Sequence, residues 1–408
     1  MPNLPEIQER IDAAVDQASK RLAEANRRIW ENPELAYEEH IAHDTLCEIL
    51  EENGYEVTRH AYGVDTSFEA SFGSGGRLMI FCAEYDALPD IGHACGHNLI
   101  GIASLTAFLA SASVLKMTNQ PGRIRILGTP AEEHGGGKLD LLHAGAFEGA
   151  DVALMSHPMP HHYYHETYGT VGAAGARLVA KQSKVAHYHG RTAHPAANPW
   201  DGANALDAVI AGYNNVSLLR QQMHPDQRVH CAIIDAPKRT NIIAGQTSIA
   251  WQCRSPKISD LHKLADRLCS CLQAGALATG CELDLKNETA YSDLLVNDTL
   301  CALYQGHMAS YGQNVLKTDP NYIQASTDFG DVSYALPGIH AMFCIPVSEK
   351  GVVTHHVSFT EAAGTEEAFN ICLTVGKCLA LCACDLLEDD TKYNAVVSDW
   401  KIAKSGST

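Results

Sequence analysis

The sequence predicts an α/β fold: a mixed, largely parallel sheet sandwiched by helices, with an α+β domain inserted into it. Three observations point there. Short apolar runs recur near residues 78–82, 124–128 and 152–155, each separated from the next by enough chain for a helix, as in parallel sheets with crossover helices. The chain has 408 residues, too many for one ordinary core. Between about Gly172 and Tyr291 the alternation gives way to a module that is β-β-α in outline, and then resumes. The expected division is one domain of residues 1–171 and 292–408, and an inserted domain of residues 172–291.

Taken in order, residues 4–30 carry apolar side chains at helical spacing, including Leu4, Ile7, Ile11, Val15 and Leu22. After the turn signal Asn32-Pro33, a second helical pattern runs to about Asn53-Gly54. The continuous run Leu78–Phe81 reads as a buried strand, as do the two runs that follow it. The insertion opens with a strand over Ala176–Ala180, then HYHGRTAHPAANPWDG, then a helix over Ala203–Met223. Strands at Val229–Ile234 and Thr247–Cys253 precede a helix over Ser259–Leu277 and a strand near Cys281–Leu285. A helix over Asp298–Tyr311 resumes the first pattern, and the all-round apolarity of Glu366–Leu387 predicts a buried helix. No apolar run is expected to reach the roughly 20 residues that span a bilayer.

Composition excludes some partners. A formal net charge of −18 argues against nucleic acid and anionic membranes. The N-terminal stretch has early acids and no apolar centre, so it does not read as a signal peptide, and the cytoplasm is the default location. The 14 cysteines mostly lie singly among apolar residues and read as reduced, buried small hydrophobes. Their spacings do not form a structural zinc module.

Candidate chemistry gathers at strand ends, where ligands collect in such sheets. CAEYDALPDIGHACGHN, residues 82–98, sets Cys95 two residues from His97 and near Asp86, His93 and Asn98. A thiolate and an imidazole at that spacing make half of a metal site. GTPAEEHGGGK holds Glu132-Glu133, adjacent carboxylates that are costly unless something positive sits beside them. A lone Glu-Glu is usually a solvated loop; beside a metal ion, one carboxylate binds and the other handles a proton. The segment fails as a phosphate loop, because Glu132 stands at the first glycine position and Leu139 follows Lys138. His157 lies at another strand end, though a single histidine before proline is more often a hydrogen-bonded loop residue. His355 and His356 are neighbours and point opposite ways on an extended segment, so one of them should face the site. His194 lies in the insertion.

With these residues in view, the chain resembles the zinc aminoacylase/carboxypeptidase-type metallopeptidases, peptidase family M20. Within that family it is most similar to the amidohydrolase branch acting on N-acyl amino acids, p-aminobenzoyl-glutamate and β-alanyl dipeptides, in the aminoacylase-1-like and β-alanyl-dipeptidase-like subgroup. The matching segments are NPELAYEE, AEYDALPDIGHACGHN, GTPAEEHGGGK, SHP, GRTAHPAANPWDGANALDA, STDFGDVS and HHVSFTEAAGT. They cover nearly the whole chain in the family's order; each is weak alone and the ordered set is specific.

The resemblance implies a zinc-exopeptidase-like catalytic domain with an inserted lid and dimerisation domain. It implies Cys95, His97, Glu133, His157 and His355 as metal ligands, Glu132 as general base and Asp86 as the acid that orients the site. His194 would polarise the scissile carbonyl and Asn241 would help hold the substrate carboxylate. Five ligands exceed the four of one tetrahedral zinc, so two zinc ions per subunit are expected, with manganese or cobalt as substitutes. The implied activity is metal-dependent hydrolysis of a small N-acyl amino acid or dipeptide by a homodimer. Asn98 stands where many relatives have Asp, which implies one carboxylate fewer near the metals. Ala325 replaces a common Gly, and His187 and His189 add imidazoles in the lid. Two other readings share these motifs: a biosynthetic relative that forms an amide with the same dinuclear site, and a non-catalytic metal scaffold. A scaffold needs no general base, so Glu132 beside Glu133 speaks against the last.

Overall fold

The computed structural model describes residues 4–407. The chain forms two compact units: one holds the chain up to Arg177, Leu294–Tyr322 and Thr327–Gly406, the other Leu178–Asp293 and Ile323–Ser326.

The first unit opens with α1 (Leu4–Glu31) and α2 (His40–Glu52). α2 starts later than the helical pattern after Pro33 suggests, because the Glu34 carboxylate accepts from the Ile41 and Ala42 amides and sets the helix start there. A short hairpin, β1 (Val57–Arg59) and β2 (Phe68–Ser74), leads to β3 (Leu78–Ala83), α3 (His97–Thr118), β4 (Gly122–Gly128), α4 (Gly137–His143), β5 (Val152–Pro160), α5 (His161–Tyr168) and β6 (Gly172–Leu178). The second unit contributes β7 (Ala180–His189), α6 (Ala205–Leu219), β8 (Arg228–Asp235), β9 (Gln246–Ser255), α7 (Ile258–Thr279) and β10 (Glu282–Tyr291). The chain then completes the first unit with α8 (Asp298–Ser310), β11 (Leu316–Ile323), α9 (Phe329–Ala335), β12 (Gly338–Ile345), α10 (Val357–Ala363), α11 (Glu366–Glu388) and α12 (Asp390–Ser405).

The first sheet has the order β1-β2-β4-β3-β5-β12-β6-β11. Its centre, β4-β3-β5-β12, is parallel, and β2 and β6 flank that centre antiparallel. β3 and β12 are buried at every residue, as central parallel strands require. α3 is buried from His97 to Leu115 and packs against α1 and α11. Two helices, α3 and α11, are in fact long and apolar enough to cross a membrane by length and composition. That corrects the expectation that no run reaches this length. All of α3's apolar stretch and most of α11's are buried inside the unit, which accounts for their composition.

The second unit is β-α-β-β-α-β, fuller than the β-β-α outline. Its sheet runs β10-β7-β9-β8, all antiparallel. The expected strand at Ala176–Ala180 is two strands broken at Val179, with β6 paired in the first sheet and β7 in the second. α6 begins at Ala205 because the Asn204 side chain caps the Leu206 amide at 3.1 Å. The last residues of the expected helix form a single 3-10 turn over Arg220–Gln222.

Candidate metal centre

β3, β4 and β5 run parallel, so the loops after β3 and β4 and the end of β5 share one edge of the sheet. The first loop carries Asp86 and Cys95 and delivers His97 as the first residue of α3. Gly96, between Cys95 and His97, has φ +74°, and a Cβ there would lie 2.6 Å from Pro158 Cγ. Only glycine permits that turn so close to the His157-Pro158 step. The loop after β4 carries Glu132 and Glu133. His355 sits before α10 with φ +66°, and its amide donates to Ala94 O at 2.8 Å. A bulky residue in that region marks a backbone held by its surroundings. His356 instead turns its Nδ1 to accept from the Ser358 amide, capping α10.

Side-chain donors converge. Cys95, His97 and His157 offer ligand atoms within 4.8 Å of one another, and so do Cys95, Glu133 and His355. Cys95 Sγ lies 3.3 Å from His157 Nε2, and His355 Nε2 lies 3.1 Å from Glu133 Oε1. The tautomers are set from behind. His97 Nδ1–H donates to Asp86 Oδ1 at 2.9 Å, and His157 Nδ1–H donates to Pro158 O at 2.8 Å. Both rings therefore turn Nε2 toward the cluster, the nitrogen that a cation would claim. Asp86 Oδ2 accepts from the Glu133 amide at 2.9 Å, so one carboxylate aims two of the donors.

The electrostatics call for positive charge. Burial, then Glu84, Glu133 and Asp328, hold the Glu132 carboxyl well above its usual range. Burial opposes the Glu133 charge, yet His355 and His97 pull it down to about 2. Burial also opposes a charged His97, but Asp86's charge and hydrogen bond win and raise it well above the ordinary value. His157 goes the other way, to about 3, through burial and the nearby His97. Among the described residues, His97 Nε2 and Glu133 Oε1 are buried without a well-formed hydrogen bond. Orphaned lone pairs among a thiol, imidazoles and carboxylates fit a cation.

His194 and Asn241 are not part of this cluster; both lie in the second unit, Asn241 exposed and His194 in an exposed loop. His194 Nδ1 accepts from the Ala196 and Ala197 amides at 3.2 and 3.0 Å, which leaves Nε2 carrying the proton. Asn241 lies in the β8–β9 loop, whose Ile243 amide bonds Ala193 O, so these two loops are neighbours within the unit. His187 and His189 lie on β7, in the same unit.

Comparison with known proteins follows the same lines. Residues 80–380 match the sequence profile of Peptidase family M20/M25/M40. The chain is 38% identical to the Xaa-Arg dipeptidase of mouse, over 97% of this chain and 92% of that one. The human Xaa-Arg dipeptidase is 36% identical over 95% and 90%.

The chain belongs to peptidase family M20/M25/M40.

Among solved structures, a Bacillus subtilis dinuclear metal-binding M20 peptidase superposes with TM-score 0.66 at 18% identity, covering 90% of this chain and 98% of that one. An aminobenzoyl-glutamate utilization protein from Klebsiella pneumoniae gives TM-score 0.70 at 15% identity, covering 93% and 99%. Those two share the fold. This M20 chain is thus a metallo-amidohydrolase-type enzyme with a dipeptidase-like hydrolytic function and clusters suited to two metal ions.

Sequence reasoning missed a second layer. Lys138 Nζ lies 2.5 Å from Glu84 Oε1 and 2.6 Å from Asp328 Oδ1, with all three residues wholly buried. Glu84, Glu132 and Asp328 meet the geometry of a metal cluster, but the Lys138 ammonium already supplies its cation. His340 is buried with its ring stacked 5.7 Å from His157 and neither nitrogen hydrogen-bonded among the described residues. Asn98 Nδ2 donates to Asn26 Oδ1 and Ala363 O, both at 2.9 Å. It ties α1 to the end of α10. Lys138, Glu84 and Asp328 all sit inside the motifs named above; what the sequence lacked was their burial.

Proposed function

We propose that this enzyme hydrolyses the amide bond of a small N-acyl amino acid or dipeptide, with two zinc ions held by Cys95, His97, Glu133, His157 and His355. The observation that carries this reading is Glu132, a buried carboxylate directly beside a five-donor cluster with orphaned lone pairs. Cys95 is common to both donor triads; its thiolate would favour zinc. Bound ions would act as Lewis acids, acidifying a water and polarising the carbonyl. Glu132 takes the proton of the attacking water on a carboxylate oxygen and passes it to the leaving nitrogen. Asp86 holds His97 and Glu133 in register. His194, with its Nε2–H free of the turn it caps, would donate to the developing oxyanion, and Asn241 would bind the substrate carboxylate.

We also propose a homodimer built through the second unit. β8 is an edge strand, with Ile233 and Ile234 about half exposed (48% and 56%). The opposite edge, β10, presents Glu282, Asp284, Lys286 and Glu288, charges that discourage strand addition. Ile210, Tyr213 and Leu218 on α6 are also exposed. Light scattering should give the mass of a dimer, and Ile234→Lys the mass of a monomer.

The direct test is amine release from a panel of N-acyl amino acids and dipeptides by zinc-loaded protein. The panel starts with dipeptides ending in arginine, after which the mouse and human relatives are named. Release abolished by a chelator and by Glu132→Ala, with zinc retained in the variant, supports the reading. Two bound zinc ions without release from any member would sink it and favour the biosynthetic alternative.

A further inference from the structure

The segment NPELAYEE has no role in the chemistry above, yet it grips the loop that bears Glu132. Glu39 is wholly buried. It stands at the N-cap position of α2, where a short side-chain oxygen often caps the helix. It does not do so: it makes no side-chain cap bond, and Glu34 performs that task at Ile41 and Ala42. Glu39 instead reaches across 92 residues of sequence, where Oε1 accepts from the Ala131 amide at 2.8 Å. Oε2 accepts from the buried Thr66 hydroxyl at 2.7 Å, which fixes the carboxylate plane.

Ala131 has φ +60°, a conformation that a residue with a Cβ adopts only when its surroundings impose it. It immediately precedes Glu132. Two further carboxylates hold the same loop: Asp86 takes the Glu133 amide and Asp328 the Lys138 amide, each at 2.9 Å. The ring of Tyr37 closes over the loop, since a Cβ on Gly135 would lie 2.4 Å from it, and its hydroxyl donates to Asp140 Oδ2 at 2.6 Å. Asp86 and Asp328 are accounted for by His97 and Lys138. The two oxygens of Glu39 are instead committed to the loop and to Thr66.

We propose that Glu39 is a positioning residue: by fixing the strained turn at Ala131 it sets the direction in which Glu132 presents its carboxylate. This rests on Glu132 being the general base. Burial and the nearby Asp86 push Glu39 up to about 7, so a neutral group with an acceptor oxygen is tolerated at this position. The Glu39→Gln variant would therefore keep the Ala131 bond, and Glu39→Ala would lose it.

The experiment compares wild type, Glu39→Ala, Glu39→Gln and Thr66→Val by zinc content, kcat and KM on the substrate found above, and amide exchange of the peptide covering residues 129–137. Expected for Glu39→Ala is a fall in kcat of about a hundredfold, the usual effect of misplacing a reacting group by about 1 Å, with KM nearly unchanged, zinc retained and faster exchange. Glu39→Gln should recover most of kcat, and Thr66→Val should show a smaller fall of the same kind. An unchanged kcat in Glu39→Ala, a Glu39→Gln variant as slow as Glu39→Ala, or zinc loss in step with activity would each overturn the proposal. If Glu39→Ala does not fold, Thr66→Val and Glu39→Gln decide it by the same kcat and exchange criteria. If wild type turns over no substrate, the hydrolase reading fails separately. Exchange then decides: faster exchange in Glu39→Ala and not in Glu39→Gln supports the clamp, and unchanged exchange refutes it.

Discussion

Replacing Lys138 with methionine should destabilise the first unit by about 3–5 kcal/mol, the usual cost of removing one partner from a buried ion pair. The ammonium sits 2.5 and 2.6 Å from Glu84 and Asp328, with no solvent exposure on any of the three. At an effective dielectric near 20, each contact is worth about 6 kcal/mol of gross attraction. Desolvation offsets several kcal/mol per ion, which leaves a net value well below that sum. Methionine preserves the stem's packing but strands two carboxylates, with Glu132 close by. Urea unfolding of zinc-loaded protein measures the loss, and the thermal midpoint should fall by about 5–8 °C. Adding Glu84→Gln and Asp328→Asn to Lys138→Met removes the stranded charges and should restore at least half of the stability. A loss below about 1 kcal/mol, the value of an exposed pair, or a triple variant no better than the single, would refute the assignment of Lys138 as the internal cation.

Three further outcomes are expected. Asp86→Asn leaves a single acceptor oxygen for both the His97 ring and the Glu133 amide, so metal affinity should fall about 10–100-fold in chelator competition. Asn98→Asp should leave zinc stoichiometry unchanged and cost about 1–3 kcal/mol, because it sets a carboxylate against the Ala363 carbonyl; calorimetry and metal analysis together check this. Partial burial opposes the Asp385 charge, yet hydrogen bonds with His307 and Lys392 hold it below its usual value. A depressed carboxylate stabilises the fold above its unfolded pKa and loses that contribution as pH falls through the folded one. The stability gap between wild type and Asp385→Asn should therefore be constant near neutral pH and shrink below about pH 4; a gap that grows on acidification would show the sign to be wrong.

The parallel centre of the first sheet was legible because strands buried on both faces read as continuous apolar runs, as Leu78–Phe81 does. The ends of β3 and β4, which open the loops to Cys95 and Glu133, were legible for the same reason; His157 was expected past the end of an apolar run over 152–155 but lies inside β5, which runs on to Pro160. The β1–β2 hairpin was not, because β1 is three residues long and half exposed. Nor was the break at Val179: nothing local distinguishes one strand from two when each half pairs in a different sheet. The choice between His355 and His356 rests on a backbone angle and a cap, which spacing does not encode. Lys138 looks like an ordinary loop lysine in sequence, since only the fold removes it from water.

His97 is a donor to the cluster and also the first residue of α3, a helix buried along most of its length. Occupancy of the site and integrity of the core therefore form one linked equilibrium. At a free ion concentration about a hundred times the dissociation constant, linkage adds about 2.7 kcal/mol to the folded state. A melting curve of this protein taken without fixing the free ion concentration reports a position on that binding isotherm as much as it reports the fold.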